Sequence, residues 1–75
     1  MIKIKNIEVI KAFGQRVREL RTSQNLSQEQ LANLADIPLS QIGRIERGEV
    51  NVTISSIYAI AKSLNLKIQE LMAIH

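Results

Sequence analysis

The chain has 75 residues, ten Lys or Arg against seven Asp or Glu, a net charge of +3 and no cysteine. This length points to one domain, 1–75, with a thin core, because so short a chain buries only about 60% of the surface that its unfolded form exposes. With one histidine, at the C-terminus, and one aspartate, the chain lacks the groups for a disulfide, a zinc site or a Ser/His/Asp triad. No enzyme activity, metal, cofactor or small-molecule ligand is expected.

No apolar run approaches the ~20 residues of a membrane span, and no export signal opens the sequence. A cytoplasmic protein with no membrane partner is the expectation. The mild basic excess fits a polyanionic partner without demanding one.

Residues 1–6, MIKIKN, alternate apolar and basic side chains and read as a flexible arm or a short strand. Helix 1 is expected from about Ile7 to Gln24, because Ile10, Phe13, Val17 and Leu20 recur at three- and four-residue steps. Asn25 suits a left-handed stop. Helix 2 has a capping-box start: Ser27 caps, Gln30 stands three residues on, and Leu26 and Leu31 are placed as a hydrophobic staple. It ends near Ala35, because Pro38 disfavours helical geometry in the residue before it while suiting the first turn of a new helix.

Helix 3 is expected from about Pro38 to Arg47, with Gly48 as its stop. Ile42 and Ile45 point inward; Leu39, Ser40, Gly43, Arg44 and Arg47 share the other face. Helix 4 is capped by Thr53, with Val52 and Ile57 as a second staple, and Ile54, Ile57, Ala61 and Leu64 form its inward stripe. Tyr58 reads as a packing residue. Asn65 stops helix 4. A short helix follows over about Lys67 to Met72, with Ile68 and Leu71 and no strong cap before it. The sum is an all-α, five-helix domain.

Helices 2 and 3 are two short amphipathic helices joined by a tight turn over about residues 27–47. Two helices of this size cannot build a deep pocket, but they can offer one convex helix to a groove, and the DNA major groove is wide enough to take it. The starts of helices 2 and 4 carry free N–H groups and a positive dipole end, suited to phosphates.

Residues 13–72 resemble the DNA-binding domain of phage lambda-type repressors and Cro proteins, the Xre group of bacterial helix-turn-helix regulators. The carriers are LSQEQLANLA, IPLSQIGRIERGE and TISSIYAIAKSLNL in that order. The resemblance implies a compact lambda-repressor-like fold and a sequence-specific regulator, a repressor in the first instance, that binds double-stranded DNA as a homodimer. It also implies residue roles. Helix 3 is the recognition helix, and Leu39, Ser40, Gly43 and Arg44 stand where relatives place base-reading side chains. Gln28, Asn51 and Thr53 fall on phosphate-contacting positions; Ser27, at the start of helix 2, is a further phosphate candidate by its place, and Arg47 is either another or a cation suited to the helix C-terminus without a ligand. Arg21 and Glu46 match a buried ion pair. Leu66, Met72 and Ile74 are the expected dimer contacts, near the end at which relatives often dimerise. Phage repressor, restriction–modification controller and antitoxin remain open within this class.

Two residues depart from the family pattern. Pro38 cannot cap helix 3 through its side chain. Gly43 removes a side chain from the outward face and costs up to ~1 kcal/mol of helix stability relative to alanine. With Leu39, it favours the rival reading, a protein-interaction module on the same helices; Gln28, Arg44 and the two helix starts favour DNA.

Overall fold

The computed structural model describes residues 6–74. They form α1 (Ile7–Ser23), α2 (Gln28–Ala35), α3 (Leu39–Glu46), α4 (Ile54–Ser63) and α5 (Ile68–Leu71), with no strand among the described residues. Residues 1–5 of the expected arm lie outside them. Asn6, the last residue of that segment, is the cap of α1: its side chain accepts the Val9 N–H at 3.2 Å.

Four helices end on the same device. Asn25, Asp36, Gly48 and Asn65 take left-handed backbone angles, with φ of 59°, 57°, 71° and 62° after α1, α2, α3 and α4. After α1, the Leu26 N–H turns back to Arg21 O and the Asn25 N–H to Thr22 O. This pairing satisfies carbonyls that a helix end leaves without partners. Leu26, Ile37 and Leu66, which follow three of these stops, then pack onto the core. Thus each stop also aims the next segment inward.

The core holds Phe13 and Val17 of α1, Leu31 and Ala32 of α2, Ile42 and Ile45 of α3, and Ile60 and Ala61 of α4, closed by Leu64 and Leu71. α3 packs between α1 and α2, α4 rests on α2, and α5 rests on α4. Two polar ties span the chain. The Gln24 side-chain amide donates to Leu64 O at 2.8 Å, and Arg16 Nη2 donates to Glu70 O at 2.8 Å.

The inward stripe of α4 differs from the expected one. Ile54 is 82% exposed, and Ile60 is buried in its place. Ile57, Ala61 and Leu64 fit helical spacing with either isoleucine; the roll of α4 against α2 selects Ile60. Tyr58 does not pack inward either, at 56% exposed. α5 has a cap after all: the Lys67 N–H donates to the Glu70 carboxylate at 2.8 Å.

Candidate nucleic-acid interface

α2 and α3 are joined through the left-handed Asp36 and the extended Pro38, which stands before α3 with no side-chain cap. The Pro38 carbonyl instead accepts the N–H groups of Gln41 and Ile42, so the helix starts from backbone bonds alone. Ile42 and Ile45 are buried under it. Leu39, Ser40 and Arg44 are exposed on the opposite side, with Leu39 at 45%.

Gly43 is not exposed with them. It is buried, overlain by the Arg47 guanidinium and the Gln28 side chain: a Cβ built on it would stand 2.9 Å from Arg47 Nη1 and 3.7 Å from Gln28 Oε1. The glycine is therefore a notch filled by its neighbours, and its own backbone does not form the surface there.

Behind α3 lies a buried polar network. Arg21 Nε donates to Glu46 Oε2 at 2.6 Å, Arg21 Nη2 to Glu46 Oε1 at 3.0 Å, and Arg21 Nη1 to Leu26 O at 2.7 Å. The Glu46 hydrogen bond holds the Arg21 guanidinium above its ordinary pKa, against the lowering by burial. Gln28 Nε2 joins the same carboxylate, donating to Oε1 at 3.0 Å. A carboxylate only accepts, so the Gln28 amide must turn its nitrogen toward Glu46 and its oxygen away. Gln28 thereby braces α3 from the first residue of α2, with one Nε2 hydrogen left over.

The caps position the two helix starts. Ser27 Oγ accepts the Gln30 N–H at 3.0 Å, while Gln30 Oε1 accepts the Ser27 N–H at 2.8 Å. The Ser27 hydroxyl hydrogen remains available. Thr53 Oγ1 accepts the Ser56 N–H at 3.1 Å and lies 3.0 Å from Ser56 Oγ, so this hydroxyl is held within its own helix start. Asn51 is exposed in the segment leading into α4.

At the far end of α3, Arg47 Nε donates to Glu49 Oε2 at 2.7 Å. This bond raises the Arg47 pKa and lowers that of the Glu49 carboxyl; the nearby Arg44 charge lowers the latter further. Nothing in the sequence reading singled out Glu49, although a carboxylate two residues beyond an arginine at a helix end was available as a signal.

The expected dimer contacts separate. Leu66 and Ile74 are half-buried and pack on the core; Met72 is 39% exposed, at a hollow shared with Val9, Val52 and Ile57. Larger apolar exposure lies elsewhere. Tyr58 lines one hollow with Leu34 and another with Ile68, and Ile54 stands one turn before it on α4.

Among the described residues, no group of His, Cys, Asp or Glu could hold a metal ion, and no helix is long and apolar enough to cross a membrane. Residues 17–71 match the model of the helix-turn-helix family HTH_3. The chain is 38% identical over 66 residues to the control protein C.SmaI of Serratia marcescens, covering 88% of this chain and 79% of that protein. It is 43% identical over 61 residues to the control protein C.BamHI of Bacillus amyloliquefaciens, covering 80% and 75%. The crystal structure of the restriction–modification controller C.AhdI from Aeromonas hydrophila superposes with a TM-score of 0.81 at 44% identity, covering 88% of this chain and 98% of that one.

Proposed function

The chain belongs to the helix-turn-helix family, and from that membership we infer that it is a sequence-specific DNA-binding transcriptional regulator, a controller of the restriction–modification type. The observation that carries DNA binding is the division of α3. Ile42, Ile45 and Glu46 anchor one side, leaving Leu39, Ser40 and Arg44 free to enter a major groove. The controller assignment rests on relatives that match over three quarters or more of their own length.

Arg44 reads bases in this proposal, since a guanidinium can bond guanine O6 and N7 at once, and Leu39 lies against a thymine methyl. The N–H groups at the starts of α2 and α4, with Ser27, Gln28, Asn51 and Thr53 around them, hold the phosphate backbone on either side of the groove. Such contacts position α3 without reading sequence.

The regulator works as a homodimer on two-fold related half-sites. With Leu66 and Ile74 drawn into the core, the outer face of α4, Ile54 and Tyr58 flanked by Leu34 and Ile68, is the apolar surface on which two copies meet.

Selection of bound sequences from a random duplex pool tests the whole reading. The expected result is one enriched two-fold symmetric site whose affinity falls steeply with salt. No enrichment, together with no salt-dependent binding to any duplex, would overturn it in favour of a protein-interaction module.

A further inference from the structure

Gly43 leaves the middle of the recognition helix without a side chain, and the structure fills that place from one turn further on. Arg47 folds back so that its Nη1 lies over the Gly43 notch. Its other edge is held by Glu49: Nε donates at 2.7 Å, and Nη2 lies 3.5 Å from the second carboxylate oxygen. Nη1 has no hydrogen-bond partner among the described residues.

The backbone explains why Glu49 is there. At the α3 stop the left-handed Gly48 directs its N–H to Ile45 O at 3.0 Å, and the Glu49 N–H turns back to Arg44 O at 2.9 Å. The corresponding residue after each of the other three stops is Leu26, Ile37 or Leu66, an apolar side chain packed on the core. Only at the end of α3 is this place given to a charge, and that charge turns onto Arg47.

We propose that Arg47, laid across Gly43 and held there by Glu49, is a base-reading residue that replaces the missing side chain at position 43. The proposal deepens the DNA-binding reading above and rests on it. Its ligand is a base edge with acceptor atoms in the major groove, guanine above all. A phosphate is the alternative ligand, and the two duplexes of the test separate it from a base edge, because a phosphate contact carries no sequence information. Gly43 and Glu49 are positioning residues. The first makes room for the guanidinium and the second fixes its angle, so an otherwise floppy side chain meets DNA already ordered.

The test measures wild type, Arg47→Ala, Gly43→Ala and the double variant on a selected site and on a scrambled duplex, with thermal melting beside each. Salt-dependent binding by the wild type is scored first; its absence overturns the functional reading itself and this inference with it. Arg47→Ala should lose about 5- to 150-fold on the selected site and far less on the scrambled one, the worth of a bidentate base contact. Gly43→Ala should melt no lower than wild type, since alanine is the better helix former and the atom its Cβ meets is the tip of a flexible side chain. It should nevertheless lose affinity for the selected site, and lose nothing further when Arg47 is already alanine. Glu49→Gln should tighten binding to the scrambled duplex while narrowing the ratio of selected to scrambled. Equal losses on both duplexes for Arg47→Ala would make it a phosphate contact and overturn the proposal. So would independent, additive losses in the double variant.

Discussion

Gly14 of α1 meets Ile45 of α3 backbone to backbone. A Cβ on Gly14 would overlap the Ile45 carbonyl oxygen and come within 2.9 Å of that of Glu46. α3 is thus seated directly against α1, with no side chain between. Gly14→Ala should destabilise the protein by about 3 kcal/mol, the upper end of ordinary overpacking, because backbone rather than a flexible side chain must move. The melting temperature followed by circular dichroism should fall by roughly 12–24 °C in a domain of this size. An unchanged melt would mean that the two helices do not approach this closely.

The Arg21–Glu46 pair should behave as a buried unit. The two side chains are only 10% and 2% exposed, so Glu46→Ala would leave a guanidinium and the Gln28 amide without their acceptor. Breaking such a pair from one side costs about 3–5 kcal/mol. Urea unfolding should show that loss, with Gln28→Ala costing much less. Comparable stability for Glu46→Ala and wild type would place the pair in solvent.

The exposed Arg47–Glu49 pair should matter little to stability while still marking Glu49. Its hydrogen bond from Arg47 lowers the carboxyl pKa below the ordinary value, so titration of the Glu49 side chain by NMR should read low and return upward in Arg47→Ala. The native pKa lies under the unfolded one. Any stabilisation is therefore present above the ordinary carboxylate range and fades as pH falls through the native value. Because the pair is exposed, melting of Arg47→Ala should stay near that of wild type, and 1 M salt should erase much of the shift.

Ser27 separates capping from phosphate binding. Ser27→Ala removes the acceptor of the Gln30 N–H and should cost about 1 kcal/mol of stability. Ser27→Asp keeps a cap and suits the helix dipole, yet sets a negative charge where a phosphate would lie. Its stability should match wild type while its DNA affinity falls. Aspartate binding DNA as well as serine does would remove the start of α2 from the interface.

Self-association should respond to α4. Ile54→Glu with Tyr58→Glu, both on exposed positions, should leave a folded monomer by light scattering. Met72→Glu alone should leave the dimer intact. The reverse outcome would return the interface to the C-terminal end.

Local signals wrote most of this fold into the sequence. The Ser27–Gln30 capping box, the Thr53 cap and the stops at Asn25, Gly48 and Asn65 are short-range chemistry, readable from a few neighbouring residues. What depends on a distant partner was not readable. Ile54 and Ile60 both fit the α4 stripe, and only contact with α2 decides between them. Gly14 looks like any helix glycine until α3 is laid against it. Gly43 stands on the outward face by spacing, but the long Arg47 side chain covers it. Leu66 and Ile74 were offered for an interface by composition alone, and both are half-buried against the core. The Arg21–Glu46 pair was reached only through family likeness, since nothing in a separation of 25 residues announces a contact.

The two sides of α3 carry different structural loads. Ile42, Ile45 and Glu46 are tied to the rest of the molecule and can change little. Leu39, Ser40 and Arg44 are exposed, and replacements at such surface positions usually shift stability by no more than about 0.5 kcal/mol. If these side chains read DNA as proposed, replacing them should change which site is bound while the protein stays folded. For the engineer, the same division marks those three positions as the place to begin retargeting.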